Sequence, residues 1–319
     1  MANDQASATA DGLGGVAGER ARSRRAAPVR DALGSVLRQR SAVVGLSILG
    51  VLLFAAIFAD VIAPYPPDEV LLGKVDGIER RSPPCIHALG CPTDQPEFIM
   101  GTDGNFRDVF SRIVFGSRVS LFIGFFTVGF AILVGALLGS VAGYAGGWPD
   151  NGIMRFMDLF LVFPALLLAI AIVTVLGQGL INAMLAIVIV SIPIYARIMR
   201  STVITVRESD YVTASRALGD SSSSLLFRRV VPNSITPIIV AGTLGIATAI
   251  LEVAALSFLG IGAQPPIAEW GSMIGLERNQ LFSAPHLILF PGVALALTVL
   301  GFNLLGDGLR DAMDPRLNR

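Results

Sequence analysis

LFLVFPALLLAIAIVTVLGQGLINAMLAIVIVSIPIYA, residues 159–196, runs for 38 positions without a charged side chain. A helix needs about 20 apolar residues to cross a hydrocarbon core roughly 30 Å thick, so this stretch is too long for one crossing. Gly177-Gln178-Gly179 divides it into two helices joined by a tight turn. Barrel strands would alternate in pieces of about 10 residues, and this run does not. Inside lipid every backbone N–H and C=O must be satisfied within its own segment, so the run is helical.

Four further charge-free windows flank it: 41–59, 119–149, 230–251 and 279–306. Together they predict six spans, at about 42–62, 119–141, 156–176, 180–196, 235–257 and 287–305, and hence an all-α integral membrane protein. Composition agrees. Of 319 residues 53% are hydrophobic and 15% charged, against roughly 25% charged in a soluble domain. The 24 cations balance the 24 anions, which leaves no basic field for nucleic acid. Residues 1–40 carry seven Arg. With Ala, Gly and Ser but no apolar periodicity over 1–30, they read as a disordered Arg-rich cytoplasmic tail. About 40 residues precede the first span, and its 19 uncharged residues exceed a usual signal-peptide core, so it reads as an uncleaved helix.

Orientation follows from the cations. Six spans place both termini on one side, and that side collects 17 Arg against seven cations on the other. The positive-inside rule puts the termini in the cytoplasm. Residues 63–118 are then an extracytoplasmic loop and 306–319 a cytoplasmic C-terminal tail. Residues 119–305 form a five-helix core containing the cytoplasmic loop 197–234. The 63–118 loop holds six cations, at a length where the rule weakens.

The 197–234 loop is the longest internal hydrophilic stretch on the cytoplasmic side, RIMRSTVITVRESDYVTASRALGDSSSSLLFRRVVPNS. Its first part continues the fourth span as a helix with snorkelling Arg residues. Ser209-Asp210 offers an N-cap for a short helix over Tyr211 to Leu218, and Gly219 stops it. Ser221–Ser224 can cap a second short helix through Arg229, and Pro232 begins the return to the bilayer. Ala214, Ser215, Ala217 and Gly219 give the first short helix a small face, onto which another protein's backbone can approach closely.

This stretch resembles the coupling motif of ABC importer permeases, Glu-Ala-Ala-x3-Gly-x9-Ile-x-Leu-Pro. Its slots hold Thr213, Ala214, Ser215, Gly219, Arg229, Val231 and Pro232. The step from Gly219 to Pro232 matches; Thr213, Ser215 and Arg229 depart from the pattern. GTDGNFRDVFSRIVFGSRVSL (101–121) is similar to the segment before the second span in dipeptide, oligopeptide and nickel permeases, with Phe106 where that family has Gly. LSFLGIGAQPPIAEWGSMI (256–274) and GDGLRDAMDPRLNR (306–319) are similar to the same family's later segments. The resemblance covers about residues 35–319.

It implies a type I ABC importer permease fold and a second-permease, C-type subunit in a bacterial cytoplasmic membrane, forming half of a pore for peptides or related small solutes. The implied partners are a homologous permease, two ATPase subunits and an extracytoplasmic solute-binding protein. ATP and Mg would sit on the ATPase subunits, with no cofactor, metal or catalytic residue on this chain. Tyr211, Thr213, Ala214, Ser215, Ala217, Gly219, Arg229 and Pro232 would couple it to an ATPase. The sequence has no Walker phosphate loop.

Other residues carry narrower expectations. Glu252 is an acid within a span, where insertion of a charge costs about 2.5–3.5 kcal/mol. It either lines the translocation path, near a peptide amine, or pairs with a neighbouring helix or the interface. Cys85 and Cys91, with His87 between them, read as a disulfide in an oxidising exterior, as two free thiols or as a metal set. Arg107, Asp108, Ser111, Arg112 and Arg118 read either as a polar helix lying at the interface or as a surface facing the binding protein or the second permease. Pro164 and Pro193 predict kinks, and His286 an interface residue. The rival function is a self-sufficient secondary transporter or channel, which expects ionisable relays near the midplane and often an internal repeat. One intramembrane acid and no clear repeat are found. An intramembrane enzyme is disfavoured by the lack of His-Glu-x2-His or Gly-x-Ser-x-Gly in the spans.

Overall fold

The computed structural model describes residues 36, 37 and 39–313. Most of the tail expected over 1–40, and the last six residues, lie outside the described residues. Helix α1 (Arg40–Ile57) and a four-residue continuation, α2 (Ala59–Ile62), form the first span. Helix α3 (Val109–Ala145) is the longest element. It starts ten residues before the expected span because its charges are satisfied. Asp108 caps it, accepting the Ser111 N–H at 2.7 Å and the Ser111 hydroxyl at 2.6 Å. Arg112 donates to the Pro67 carbonyl at 2.6 Å. Arg118 bonds the carbonyls of Ala56 and Ile57 and the Asp60 carboxylate. Residues 109–118, expected in the loop, are therefore helix.

The third span departs from a single kinked rod. Helix α4 (Gly147–Leu161) and helix α5 (Ala165–Leu176) are bent by 90° at the break before Pro164. Proline biases the preceding residue out of the helical region. At 1.5 Å per residue α5 is only about 18 Å long. Helix α6 (Leu180–Arg207) runs through Pro193 and eleven residues past the expected end of its span. Then come α7 (Asp210–Ala217), α8 (Ser222–Ser224), a π-helical turn at Leu225–Val230, and α9 (Val231–Ser234). Helix α10 (Thr236–Phe258) returns across the bundle, α11 (Trp270–Glu277) is short, and α12 (His286–Met313) closes the chain. Residues 306–313, expected in the tail, continue α12. Among the described residues α1, α3, α6, α10 and α12 are each long and apolar enough to span a membrane, and the α4–α5 pair, bent by 90°, adds a sixth where it is counted as one broken span rather than a re-entrant loop.

Packing follows small residues. Gly135, Gly139 and Gly143 form a ridge of four-residue steps on α3 that lies on Ile192, Ala196 and Arg200, the same steps on α6. A Cβ at Gly135 or Gly143 would sit 2.8 Å from the Ile192 or Arg200 carbonyl. Such ridges let helices approach closely where lipid removes the hydrophobic drive. Gly45 of α1 meets the Gly301 carbonyl of α12 in the same way. Helix α10 packs on α3, α6 and α12 through Ile246, Ile250 and Val253. Val51, Val61 and Val175 point outward, Val61 with 82% of its surface exposed, as a lipid-facing shell requires.

The bundle has two distinct ends. At one, the 63–108 loop, the 177–179 turn and residues 259–285 meet; the Gly179 N–H donates to the Ile261 carbonyl at 3.2 Å. At the other, α7–α9 lie beside the end of α3, where Arg207 donates to the carbonyls of Gly143 and Tyr144, each at 3.0 Å.

Candidate functional site

The α7–α9 segment is built around one buried side chain. Val212 is fully enclosed by Leu225, Leu226 and Val230 together with Met199 and Val203 of α6. Ser209 precedes α7, but its hydroxyl bonds back to the Val206 carbonyl at 2.6 Å instead of capping. Gly219 ends the helix with φ +92°, a conformation that L side chains resist. Ser221 caps α8, accepting the Ser224 N–H at 3.4 Å. The segment is thus pinned to the end of α6 by apolar burial and turned sharply at a glycine.

Its outer face carries the residues the sequence singles out. Thr213, Ala214, Ala217 and Gly219 are exposed, Ser215 is half-buried, and Pro232 is exposed in α9. Tyr211 reaches across to the Arg229 carbonyl at 3.5 Å. Arg229, a cation in an apolar slot of the motif, stands in solvent with Asp220 at 3.7 Å. Its position explains why a charge is accepted there. Sequence reasoning missed Leu218, 89% exposed, and the exposed Phe227. The available signal was an apolar residue immediately before the stop glycine, with no buried face left to occupy.

Above this segment two ion pairs tie α6 to α4. Arg200 holds Asp150 through two hydrogen bonds of 2.5 and 2.6 Å, and Arg197 meets Asp158 at 2.5 Å. Beyond them lies a chamber of about 340 Å³ lined by Phe160, Phe163, Ser191, Tyr195, Thr248 and Glu252. Gly245 leaves the space that the Tyr195 hydroxyl fills. Glu252 is half-buried. Among the described residues no cation and no hydrogen-bond donor reaches its carboxylate. The chamber therefore presents one acid, one phenol and the hydroxyl residues Ser191 and Thr248 among otherwise apolar walls.

The opposite end is a cap. Asp103 organises it: Oδ1 accepts the N–H groups of Asn105 and Arg107 at 2.7 and 2.9 Å, and Oδ2 accepts Arg107 Nε at 2.7 Å. Glu277 of α11 accepts the Gly104 N–H at 3.0 Å and Arg81 Nε at 2.8 Å. Arg107, Asp108, Ser111 and Arg112 are all buried within this chain. Neither an interface-lying helix nor an outward surface describes them; they lock the cap to α3. Burial pushes the Asp108 carboxyl up, against its hydrogen bonds from Ser111. Burial likewise raises Glu269, which caps α11 by accepting the N–H groups of Gly271 and Ser272 at 2.9 and 2.7 Å. Phe106 has φ +58°, which accounts for glycine in the related segment.

Cys85 and Cys91 are joined by a disulfide with Cα atoms 5.4 Å apart. Cys85 also exchanges two backbone hydrogen bonds with Phe98 at 2.8 and 2.9 Å. His87 turns to the Gln95 carbonyl at 2.8 Å. Among the described residues no three His, Cys, Asp or Glu side chains are grouped to hold a metal.

Comparison with known proteins completes the description. Residues 135–319 match the family described as binding-protein-dependent transport system inner membrane component. Residues 27–84 match the N-terminal transmembrane domain of oligopeptide transport permease C. A dipeptide transport system permease protein, DppC, of Alkalihalophilus pseudofirmus is 45% identical over 290 residues, covering 91% of this chain and 90% of that one. A glutathione transport system permease protein, GsiD, of Pectobacterium atrosepticum is 40% identical over 291 residues, covering 91% and 92%. Among solved structures, an inward-facing conformation of the MetNI methionine ABC transporter superposes with a TM-score of 0.53 at 17% identity. The match covers 64% of this chain and 97% of that one, a likeness of fold alone.

Proposed function

This chain belongs to the inner-membrane components of binding-protein-dependent transport systems, as a C-type permease subunit of the dipeptide and oligopeptide ABC importers, and on that footing we propose that it forms half of a translocation pore for small peptides. Both relatives carry peptide cargo in their names, a dipeptide and glutathione. A free amine on such a cargo complements the unpaired Glu252 carboxylate in its apolar chamber. The second wall of the chamber comes from a homologous permease. The termini and α7–α9 lie in the cytoplasm, in keeping with the 17 cations on that side.

The observation that carries this reading is the Val212 anchor. An exposed, small-faced helix is pinned by a fully buried side chain to the end of α6. That is the construction of a lever. An ATPase subunit docked on Thr213, Ala214, Ser215, Ala217 and Gly219, with Tyr211, Arg229 and Pro232 at the edges, moves α6 as it moves α7. ATP and Mg are handled by two such subunits, while this chain supplies no chemistry of its own. Coupling requires the docked contacts to differ between the inward- and outward-facing states.

The test is isolation from membranes followed by reconstitution. A half-pore brings down a second six-span permease and ATPase subunits, and uptake in vesicles needs ATP and a solute-binding protein. Uphill accumulation by this chain alone, on an ion gradient, refutes the proposal.

A further inference from the structure

The cap encloses a second cavity, of about 180 Å³, that plays no part in the coupling described above. Three guanidinium groups line it, those of Arg80, Arg81 and Arg107, against two carboxylates, Asp103 and Glu277. Both acids are already engaged. Asp103 is taken up by two backbone N–H groups and Arg107 Nε, and Glu277 by Gly104 and Arg81. The cations are engaged only in part. The Arg107 side chain is 6% exposed; its Nε is held, while its two Nη groups find no acceptor among the described residues. Arg80 at the mouth spends Nε on the Gly104 carbonyl at 2.6 Å, and its Nη groups are likewise free. Met273 and Leu276 supply an apolar wall, with Leu276 half exposed.

The Arg107 Nη groups stay within reach of solvent through the cavity, so an incoming acceptor can take the place of water there. The planar fork of arginine matches a carboxylate in two-point contact. The cavity shares no lining residue with the Glu252 chamber, so it stands off the route between the helices. It is made from the loop end of the bundle, which on the reading above faces outward. We infer that this cavity is a socket for a carboxylate, filled by an Asp or Glu side chain of the solute-binding protein when that protein docks. The inference rests on the importer reading for its partner and its side of the membrane. It adds the site, the chemistry and two residues, Arg80 and Arg107.

In docking, the acid displaces water from the Nη groups of Arg107 on the floor and Arg80 at the rim. Leu276 and Met273 shield the pair. Such a contact steers encounter through the rim charge and slows release through the buried one. Screening weakens the steering as salt rises.

The experiment uses the assembled transporter in nanodiscs and its solute-binding protein, with docking read by biolayer interferometry at low and high salt. R80Q and R107Q are each expected to weaken docking about tenfold. K74Q removes an external cation outside the socket and should leave docking unchanged. R107Q loosens the cap turn if it misfolds anything, so R80E serves as the second variant. A single Asp or Glu to Arg substitution in the binding protein is expected to restore docking to R80E. Unchanged docking of both R80Q and R107Q, in complexes that still contain all subunits, overturns the socket and leaves the importer reading standing. Normal docking combined with lost uptake of free peptides but not of C-terminally amidated ones also overturns it, by making the cargo the source of the carboxylate. Failure of the wild-type chain to recruit a binding protein at all refutes the importer reading instead.

Discussion

Arg200 grips Asp150 with both ends of its guanidinium fork, at 2.5 and 2.6 Å, and so fastens α6 to α4. Asp150 is largely buried, while Arg200 keeps about a third of its side chain in solvent. A hydrogen bond to a charged group is worth about 1.5–3 kcal/mol. R200Q and D150N should each lower the Tm of the purified complex, and the double variant should lose less than the sum of the two. Strict additivity in that cycle would mean that the fork contributes no coupling energy.

Gly139 tests the α3–α6 seam. A Cβ there runs into the Ala196 carbonyl, and backbone cannot retreat as a flexible side chain can. G139L should therefore force α3 and α6 apart and abolish assembly, because overpacking costs about 1–3 kcal/mol even where side chains adjust. G129L, on the same helix but with open space at its Cβ, should assemble normally. Equal behaviour of the two variants in size-exclusion profiles would remove the seam from the account.

Val212 and Leu218 separate anchoring from docking. V212A removes buried apolar volume and should cost about 2 kcal/mol, with loss of uptake while ATP hydrolysis continues. L218A touches only solvent within this chain and should stay within about 0.5 kcal/mol of the parent, yet retain fewer ATPase subunits on purification. ATPase recovery that is the same for L218A and the parent would move the docking face elsewhere.

The sequence is informative about the spans because lipid allows so few backbone solutions, and each of the five long apolar helices contains most of one charge-free window or, in α6, the part of the 159–196 window that follows Gly179. It misplaces helix ends for a physical reason. Arg112 and Arg118 end the window, but carbonyls of distant loops accept their protons, so α3 runs on past them. Pro164 announces a kink, but the 90° angle depends on what α4 and α5 pack against. The helix and turn of the α7–α9 segment are legible from the Gly219 stop and the small face. The cap is not, because Arg81 and Glu277 are 196 residues apart and nothing local marks them as partners.

Glu252 offers a direct check on the chamber. E252Q preserves shape and removes the charge. Uptake of peptides with a free amine should fall by tenfold or more, on the scale of one unpaired charge contact, while the complex assembles and hydrolyses ATP as before. N-acetylated peptides should be carried poorly by the parent and no worse by the variant. Undiminished uptake by E252Q would take Glu252 off the path.

The disulfide predicts a chemical result. Intact protein treated with an alkylating reagent under non-reducing conditions should gain no mass, since Cys85 and Cys91 are its only cysteines. Closing a loop of this size is worth about 2 kcal/mol by the chain-entropy account. C85S with C91S should therefore make the 85–98 region more open to protease and leave the coupling segment untouched. Two alkylated thiols would refute the bridge.

The glycine ridge gives α3 and α6 a shared fate. At 37 residues α3 is about 55 Å long, with the Asp103–Arg107 turn at its head and the carbonyls gripped by Arg207 at its foot. Two rods fused along a bare seam have no joint between them in which a tilt can be absorbed. A nudge applied at either extremity is therefore felt at the other, so the loop end and the α7–α9 end answer to the same stiff beam.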